Sequence, residues 1–83
     1  MNKRSKRHYF RDDDLLIEIG VKIRDARLKK NVSQETLANE CEIDYSQINR
    51  MELGKVNFSV SYLSKIAGVL NINPKELLPY INI

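Results

Sequence analysis

Residues 33–54 read SQETLANECEIDYSQINRMELG, and this stretch decides the fold. Ser33 is a favourable N-cap residue, and the apolar residues that follow it recur at helical spacing. They are Leu37, Ala38 and Cys41. Together these features predict a short helix over residues 34–41.

The same stretch predicts a second short helix, over residues 45–52. Asp44 is placed as its N-cap and Gly54 as its stop. Its inward positions are Ile48, Met51 and Glu52. Two short helices joined by about three residues and packed on other helices form a helix-turn-helix arrangement. Spacing alone leaves a generic small helical bundle open as the alternative.

A longer helix is predicted before this pair, over about residues 14–30. The carboxylates of residues 12–14 can cap free N–H groups at its start, and Asn31 tolerates the left-handed backbone that ends helices. Its apolar stripe consists of Leu15, Leu16, Ile19, Ile23 and Ala26.

Two further helical segments are predicted after the pair. Ser59 caps a helix that Asn71 ends, with an apolar face formed by Val60, Leu63, Ile66, Ala67 and Leu70. The sequence Asn73-Pro74-Lys75-Glu76 then supplies an N-cap, proline at the first helical position and glutamate at the third. Leu77 and Leu78 are expected to face inward before Pro79 ends that turn. The fold class is therefore all-α, with no strand.

Composition limits the class of protein. The chain has 83 residues, a net charge of +3, 42% hydrophobic residues, one cysteine and one histidine. These numbers predict one small domain without a disulfide, a metal site, a cofactor or a membrane span, in a reducing cytoplasm. No Gly-rich phosphate loop or catalytic dyad is present, so we expect no enzyme and no small-molecule ligand.

Charge divides the chain into two parts. Residues 1–11 hold five basic residues and no acidic one, whereas residues 31–54 hold five acidic residues and one basic residue. We expect a flexible basic arm over 1–13 and a folded domain over 14–83, with the helix-turn-helix at about 34–54. A basic arm suggests a polyanionic partner, and a solvated tail is the equally weighted alternative.

Several segments, taken in order, resemble the Cro and phage-repressor type of helix-turn-helix family, also called the XRE family. The similarity covers roughly residues 17–78, and its segments are IRDAR at 23–27, SQETLA at 33–38, IDYSQINRMELG at 43–54, LSKIA at 63–67 and NPKELL at 73–78. This resemblance implies a five-helix, lambda-repressor-like DNA-binding domain that regulates transcription in bacteria. One departure is Glu42, which stands in the turn where the family commonly has glycine, so strain or an altered turn is expected there.

The resemblance locates a DNA-binding face on the second helix of the pair. A helix fits the major groove, and its outer side chains reach base edges. The expected DNA-binding residues are Gln34, Tyr45, Ser46, Gln47, Asn49, Arg50, Lys55 and Asn57. Arg50 can pair with guanine, and Asn49 or Gln47 with adenine, whereas Gln34, Lys55 and Asn57 are expected on phosphates. The resemblance also implies a largely buried salt bridge between Arg27 and Glu52.

The C-terminal stretch after residue 76 is too apolar to stay uncovered, which predicts a homodimer. Its expected interface residues are Leu78, Tyr80, Ile81 and Ile83. Two-fold symmetry would place two reading helices about 34 Å apart on a palindromic operator. Proteins of this size in the family include Cro-like repressors, controller proteins of restriction–modification systems and antitoxins. A protein-interaction module on the same fold remains the alternative function.

Overall fold

The described part of the chain, residues 10–79 of a computed structural model, contains four α-helices and no strand. They are α1 (Asp13–Lys29), α2 (Gln34–Cys41), α3 (Tyr45–Glu52) and α4 (Val60–Leu70). A 3-10 helix over Pro74–Leu77 stands where the fifth α-helix was expected. The ring of Pro79 disfavours a helical backbone at the preceding residue, and Leu78 is extended, so only one turn forms. Between residues 10 and 79, no helix has the length and apolar character needed to cross a membrane.

The ends of the helices follow local rules. The Asp12 side chain accepts a hydrogen bond from the Leu15 N–H, so α1 begins at Asp13, one residue earlier than predicted. Asn31 and Asn71 adopt the left-handed conformation just after α1 and α4, with φ of 58° and 57°. The capping box predicted at Asn73 is confirmed.

The N-caps of α2, α3 and α4 differ from one another. The Ser33 side chain accepts from the Thr36 N–H at 3.0 Å, which confirms it as the cap of α2. Asp44 and Ser59 occupy the N-cap positions of α3 and α4, but neither side chain makes a cap hydrogen bond, so that part of the prediction was wrong. An extended backbone at the N-cap starts a helix even where water satisfies the first N–H groups.

The predicted apolar stripes meet in one core beneath the helix pair. Its members are Ile19, Ile23, Leu37, Ala38, Cys41, Ile48, Met51, Leu63, Ile66, Ala67, Leu70 and Leu77. Two residues predicted to face inward do not. Val60, the first residue of α4, is 78% exposed, and Leu78 is 42% exposed because its extended backbone turns it outward. Burial raises the pKa of the Cys41 thiol, which keeps this side chain neutral in the core.

A glycine brings α1 against α3. A Cβ atom on Gly20 would lie 2.5 Å from the carbonyl oxygens of both Met51 and Glu52. Real Cβ atoms do not approach backbone that closely, so only glycine permits this contact. The backbone of α3 therefore rests directly on the backbone of α1, without a side chain between them.

Candidate nucleic-acid interface

The α2–α3 turn sets the direction of α3. Glu42 adopts a left-handed conformation, with φ 58° and ψ 41°. Its N–H and that of Ile43 donate back to carbonyls near the end of α2, at 3.2 Å to Asn39 and 3.0 Å to Ala38. The turn thus has the left-handed geometry that glycine usually adopts, although the residue here is a glutamate.

The outer face of α3 presents the predicted reading residues. Tyr45, Ser46 and Arg50 are exposed, with Tyr45 at 54%. Gln47 and Asn49 are half-buried at the two edges of the same face. Gln47 borders a shallow cleft with Tyr62 of α4, whereas Asn49 borders a cleft on the α1 side. The five side chains therefore form one polar surface on α3.

A buried ion pair joins α1 to the inner side of α3. The Arg27 Nε donates to Glu52 Oε2 at 2.7 Å, and Nη2 donates to Oε1 at 3.0 Å. Both side chains are nearly sealed, at 9% and 2% exposure. A further bond runs from Arg27 Nη1 to the Val32 carbonyl at 2.9 Å, and the hydrogen bond to Glu52 raises the pKa of Arg27. The pair fixes α3 to the rest of the domain.

Gln34 takes part in this ion-pair network. Its Nε2 donates to Glu52 Oε1 at 2.9 Å, an arrangement that sequence reasoning did not foresee. One amide hydrogen of Gln34 is therefore engaged inside the protein, while the side chain stays half-buried at the start of α2. Gln34, Arg27 and Tyr45 border one open cleft between the N-terminal ends of α2 and α3.

The loop after α3 touches the segment before α1. The Asn57 Nδ2 donates to the Phe10 carbonyl at 3.1 Å, and Arg11 Nη2 donates to the Lys55 carbonyl at 3.4 Å. Arg11 also pairs with Asp13 at 2.8 Å. Residues 10 and 11, expected to belong to the arm, are thus held against the loop, whereas residues 1–9 lie outside the described range. The side chain of Lys55 itself is exposed.

The predicted dimer residues fall mostly beyond the described part. Tyr80, Ile81 and Ile83 lie outside residues 10–79. Leu78 is exposed, and Pro79 is half-buried beside the exposed side chains of Ile17 and Val21 on α1. An apolar surface therefore begins where the C-terminal stretch leaves the 3-10 helix.

Sequence reasoning missed one surface beside the reading face. A cleft between α1 and the helix pair is bordered by Val21, Arg24, Asp25, Arg27, Gln34, Asn49, Glu52 and Leu53. In the sequence, Arg24 stands out only as a member of the segment IRDAR at 23–27, which carries part of the family resemblance. The signal that could have found it is its position one helical turn before Arg27 on α1.

Comparison with known proteins agrees with this geometry. A helix-turn-helix family model matches residues 23–77. The chain is 38% identical over 72 residues to the control protein C.BamHI of Bacillus amyloliquefaciens, covering 86% of this chain and 89% of that protein. The crystal structure of the restriction–modification controller protein C.AhdI from Aeromonas hydrophila superposes with a TM-score of 0.77 at 36% identity, covering 80% and 96% of the two chains. The hypothetical transcription factor NHTF from Neisseria gives a TM-score of 0.75 at 27% identity, covering 88% and 85%.

The family match spans the ion pair, the turn and the outer face of α3, and the relatives include controller proteins over nearly their full length. This chain belongs to the XRE-type helix-turn-helix family of DNA-binding transcriptional regulators.

Proposed function

We propose that this protein is a sequence-specific operator-binding regulator that controls restriction–modification genes in a bacterial cytoplasm. The observation that carries the proposal is the polar outer face of α3, formed by Tyr45, Ser46 and Arg50 and fixed from behind by a buried ion pair. An exposed helix held this firmly is pre-organised for the major groove. The 38% identity to a control protein favours this role over Cro-like or antitoxin-like roles.

The reading roles follow from side-chain chemistry. Arg50 carries a planar fork of donors suited to the O6 and N7 atoms of guanine, and Asn49 or Gln47 can pair with adenine. Tyr45 and Ser46 are placed to reach phosphate or base edges at the start of α3. Lys55 supplies a phosphate contact past the other end of α3, and Gln34 offers its remaining amide hydrogen at the start of α2.

Asn57 has a second role in this proposal, beside the predicted phosphate contact. Its amide nitrogen donates to the Phe10 carbonyl, which supports a role in holding the start of the basic arm beside Lys55. The arm then lies next to DNA. Deleting residues 2–9 should reduce the slope of log K against log salt by about 2 to 3, since those residues hold four basic side chains. An unchanged slope would make the arm a solvated tail.

The protein acts as a homodimer on a palindromic operator in this proposal. Support comes from the exposed Leu78 and from the apolar residues Tyr80, Ile81 and Ile83 that follow it in the sequence. Sedimentation at tens of micromolar protein should give the mass of two chains, and deletion of residues 80–83 should lower it toward one. A single-chain mass for both proteins would contradict the dimer.

Selection of bound sites from random DNA tests the proposed function. We expect recovered sequences to share an inverted repeat with half-sites about one DNA turn apart, and footprinting to protect that repeat. A matched selection with Arg50→Ala should lose preference at one position in each half-site. Absence of specific binding even at low salt would instead favour a protein-interaction module on this fold.

A further inference from the structure

Arg24 lies on the exposed side of α1, beside the reading face. It borders the cleft whose other walls include Gln34, at the start of α2, and Asn49, on α3. Both of those side chains are proposed DNA contacts, so a group on the rim of this cleft stands where the duplex would pass. Arg24 is the exposed guanidinium on that rim.

The charges around the cleft leave Arg24 available for an anion. Within residues 10–79, the side-chain ion pairs are Arg27–Glu52 and Arg11–Asp13, so neither involves Arg24. Arg27 is neutralised by Glu52 and buried, and the neutral Gln34 amide is bonded to the same carboxylate. Asp25 is the one unpaired carboxylate on the rim, and it also borders two further clefts along α1.

A cation at this place would add the charge that the groups at the start of α2 lack. The start of α2 offers main-chain N–H groups and a partly engaged amide, which orient a phosphate but carry little charge. A guanidinium is always charged and matches two phosphate oxygens with two parallel N–H donors. Lys55 follows α3 in the sequence and does not border the cleft that Arg24 shares with Gln34.

We propose that Arg24 of α1 binds a DNA backbone phosphate on the α1 side of the reading helix, at the cleft that it shares with Gln34 and Asn49. The DNA-binding surface then extends from the helix pair onto α1, with Arg24 on α1 and Lys55 after α3 each holding the backbone beside the base-reading face. This inference rests on the proposed operator binding and adds one phosphate contact per protomer to it.

The experiment compares full-length wild type with Arg24→Gln on a selected operator and on a random duplex, from 50 to 200 mM salt. Each lost phosphate contact makes the salt slope shallower by about 0.9, so the affinity change across this range should shrink about threefold per protomer. Base preference in a library of operator variants should persist, because phosphate contacts carry no sequence information. The thermal midpoint should stay unchanged, since Arg24 is exposed.

Two controls make the outcome decisive. Lys65→Gln removes the same charge from the exposed side of α4, and this variant should keep the salt slope of the wild-type protein. Arg24→Lys keeps the charge and should restore the slope. An Arg24→Gln slope equal to that of Lys65→Gln, or a changed base preference, would overturn the inference while operator binding stands. Wild-type protein without any operator preference would overturn the proposed function instead, and the inference with it.

Discussion

The inner and outer sides of α3 differ in almost every physical respect. The inner side is buried, with Ile48 and Met51 fully covered and Glu52 paired with Arg27 at 2.7 Å. The outer side exposes Tyr45 and Arg50, whose side chains make no hydrogen bond or ion pair to residues 10–79. The eight residues of α3 thus fall into two groups. The inner side chains pack in the core or pair with Arg27, and outer side chains such as Tyr45 and Arg50 make no such contact in the described part of the chain. Substitutions on the two sides should therefore separate into losses of stability and losses of DNA binding.

The strongest test of the inner side is Glu52→Gln. This change leaves Arg27 buried without its counter-charge, which should lower the free energy of unfolding by about 3 to 5 kcal/mol. Glu40→Gln, at an exposed position on α2, is the matched control and should stay within about 0.5 kcal/mol of wild type. Urea denaturation measures both. Equal midpoints for the two variants would mean that the inner ion pair contributes nothing to stability.

The next largest effect concerns the backbone contact between α1 and α3. Gly20→Ala adds a Cβ atom 2.5 Å from two carbonyl oxygens, which should destabilise the domain by about 1 to 3 kcal/mol despite the better helix propensity of alanine. Gly68→Ala in α4 meets no atom within 4 Å and should instead stabilise by about 0.4 to 1 kcal/mol. Thermal unfolding of the pair should show midpoints that move in opposite directions. Two midpoints moving the same way would contradict the close packing.

The outer side is tested by Arg50→Ala. Stability should stay within about 0.5 kcal/mol of wild type, while discrimination at one base pair of each half-site falls by about 1 to 3 kcal/mol. Lys55→Ala should weaken binding to all sequences alike. Affinities across an operator library distinguish the two patterns. Uniform losses from both variants would show that the outer face of α3 does not read bases.

The smallest expected effect lies in the turn between the two helices. The left-handed backbone of Glu42 is sterically unfavourable for a residue with a Cβ atom. Glu42→Gly removes this unfavourable contact but raises the conformational entropy of the unfolded chain. We expect a net gain in the free energy of unfolding of a few tenths to about 1 kcal/mol. Glu42→Ala keeps the Cβ atom and should show no gain in thermal unfolding. A glycine variant no more stable than the alanine variant would mean that the turn is unstrained.

The helices and most of the core were predictable because their signals are local. Apolar residues at three- and four-residue steps placed α1 to α4 within one or two residues, and Asn31 and Asn71 ended helices as expected. The wrong predictions concern residues whose burial depends on their tertiary neighbours as well as on the local pattern. Val60 follows the stripe of α4 yet has no neighbour to cover it, and Leu78 is turned outward by the proline after it.

The candidate site was predictable only through resemblance. Nothing in the periodicity links Arg27 to Glu52 across 25 positions, and the family pattern supplied that pair. The engagement of Gln34 by Glu52 and of Asn57 by Phe10 was missed, because a polar side chain chooses among partners that only the tertiary structure brings near. Arg24 was missed although it lies one helical turn before Arg27, because the cleft that it borders is lined by residues of three different helices.

The glycine contact between α1 and α3 has a consequence for how operators are accommodated. With backbone resting on backbone at Gly20, and Arg27 clamped to Glu52, the reading helix cannot tilt or slide without carrying the long helix along. In the proposed dimer, each domain therefore meets its half-site as a rigid body. On that proposal, an operator whose half-site spacing does not match the dimer is accommodated by bending or twisting the DNA, and the sequence between the half-sites then affects affinity without touching the protein.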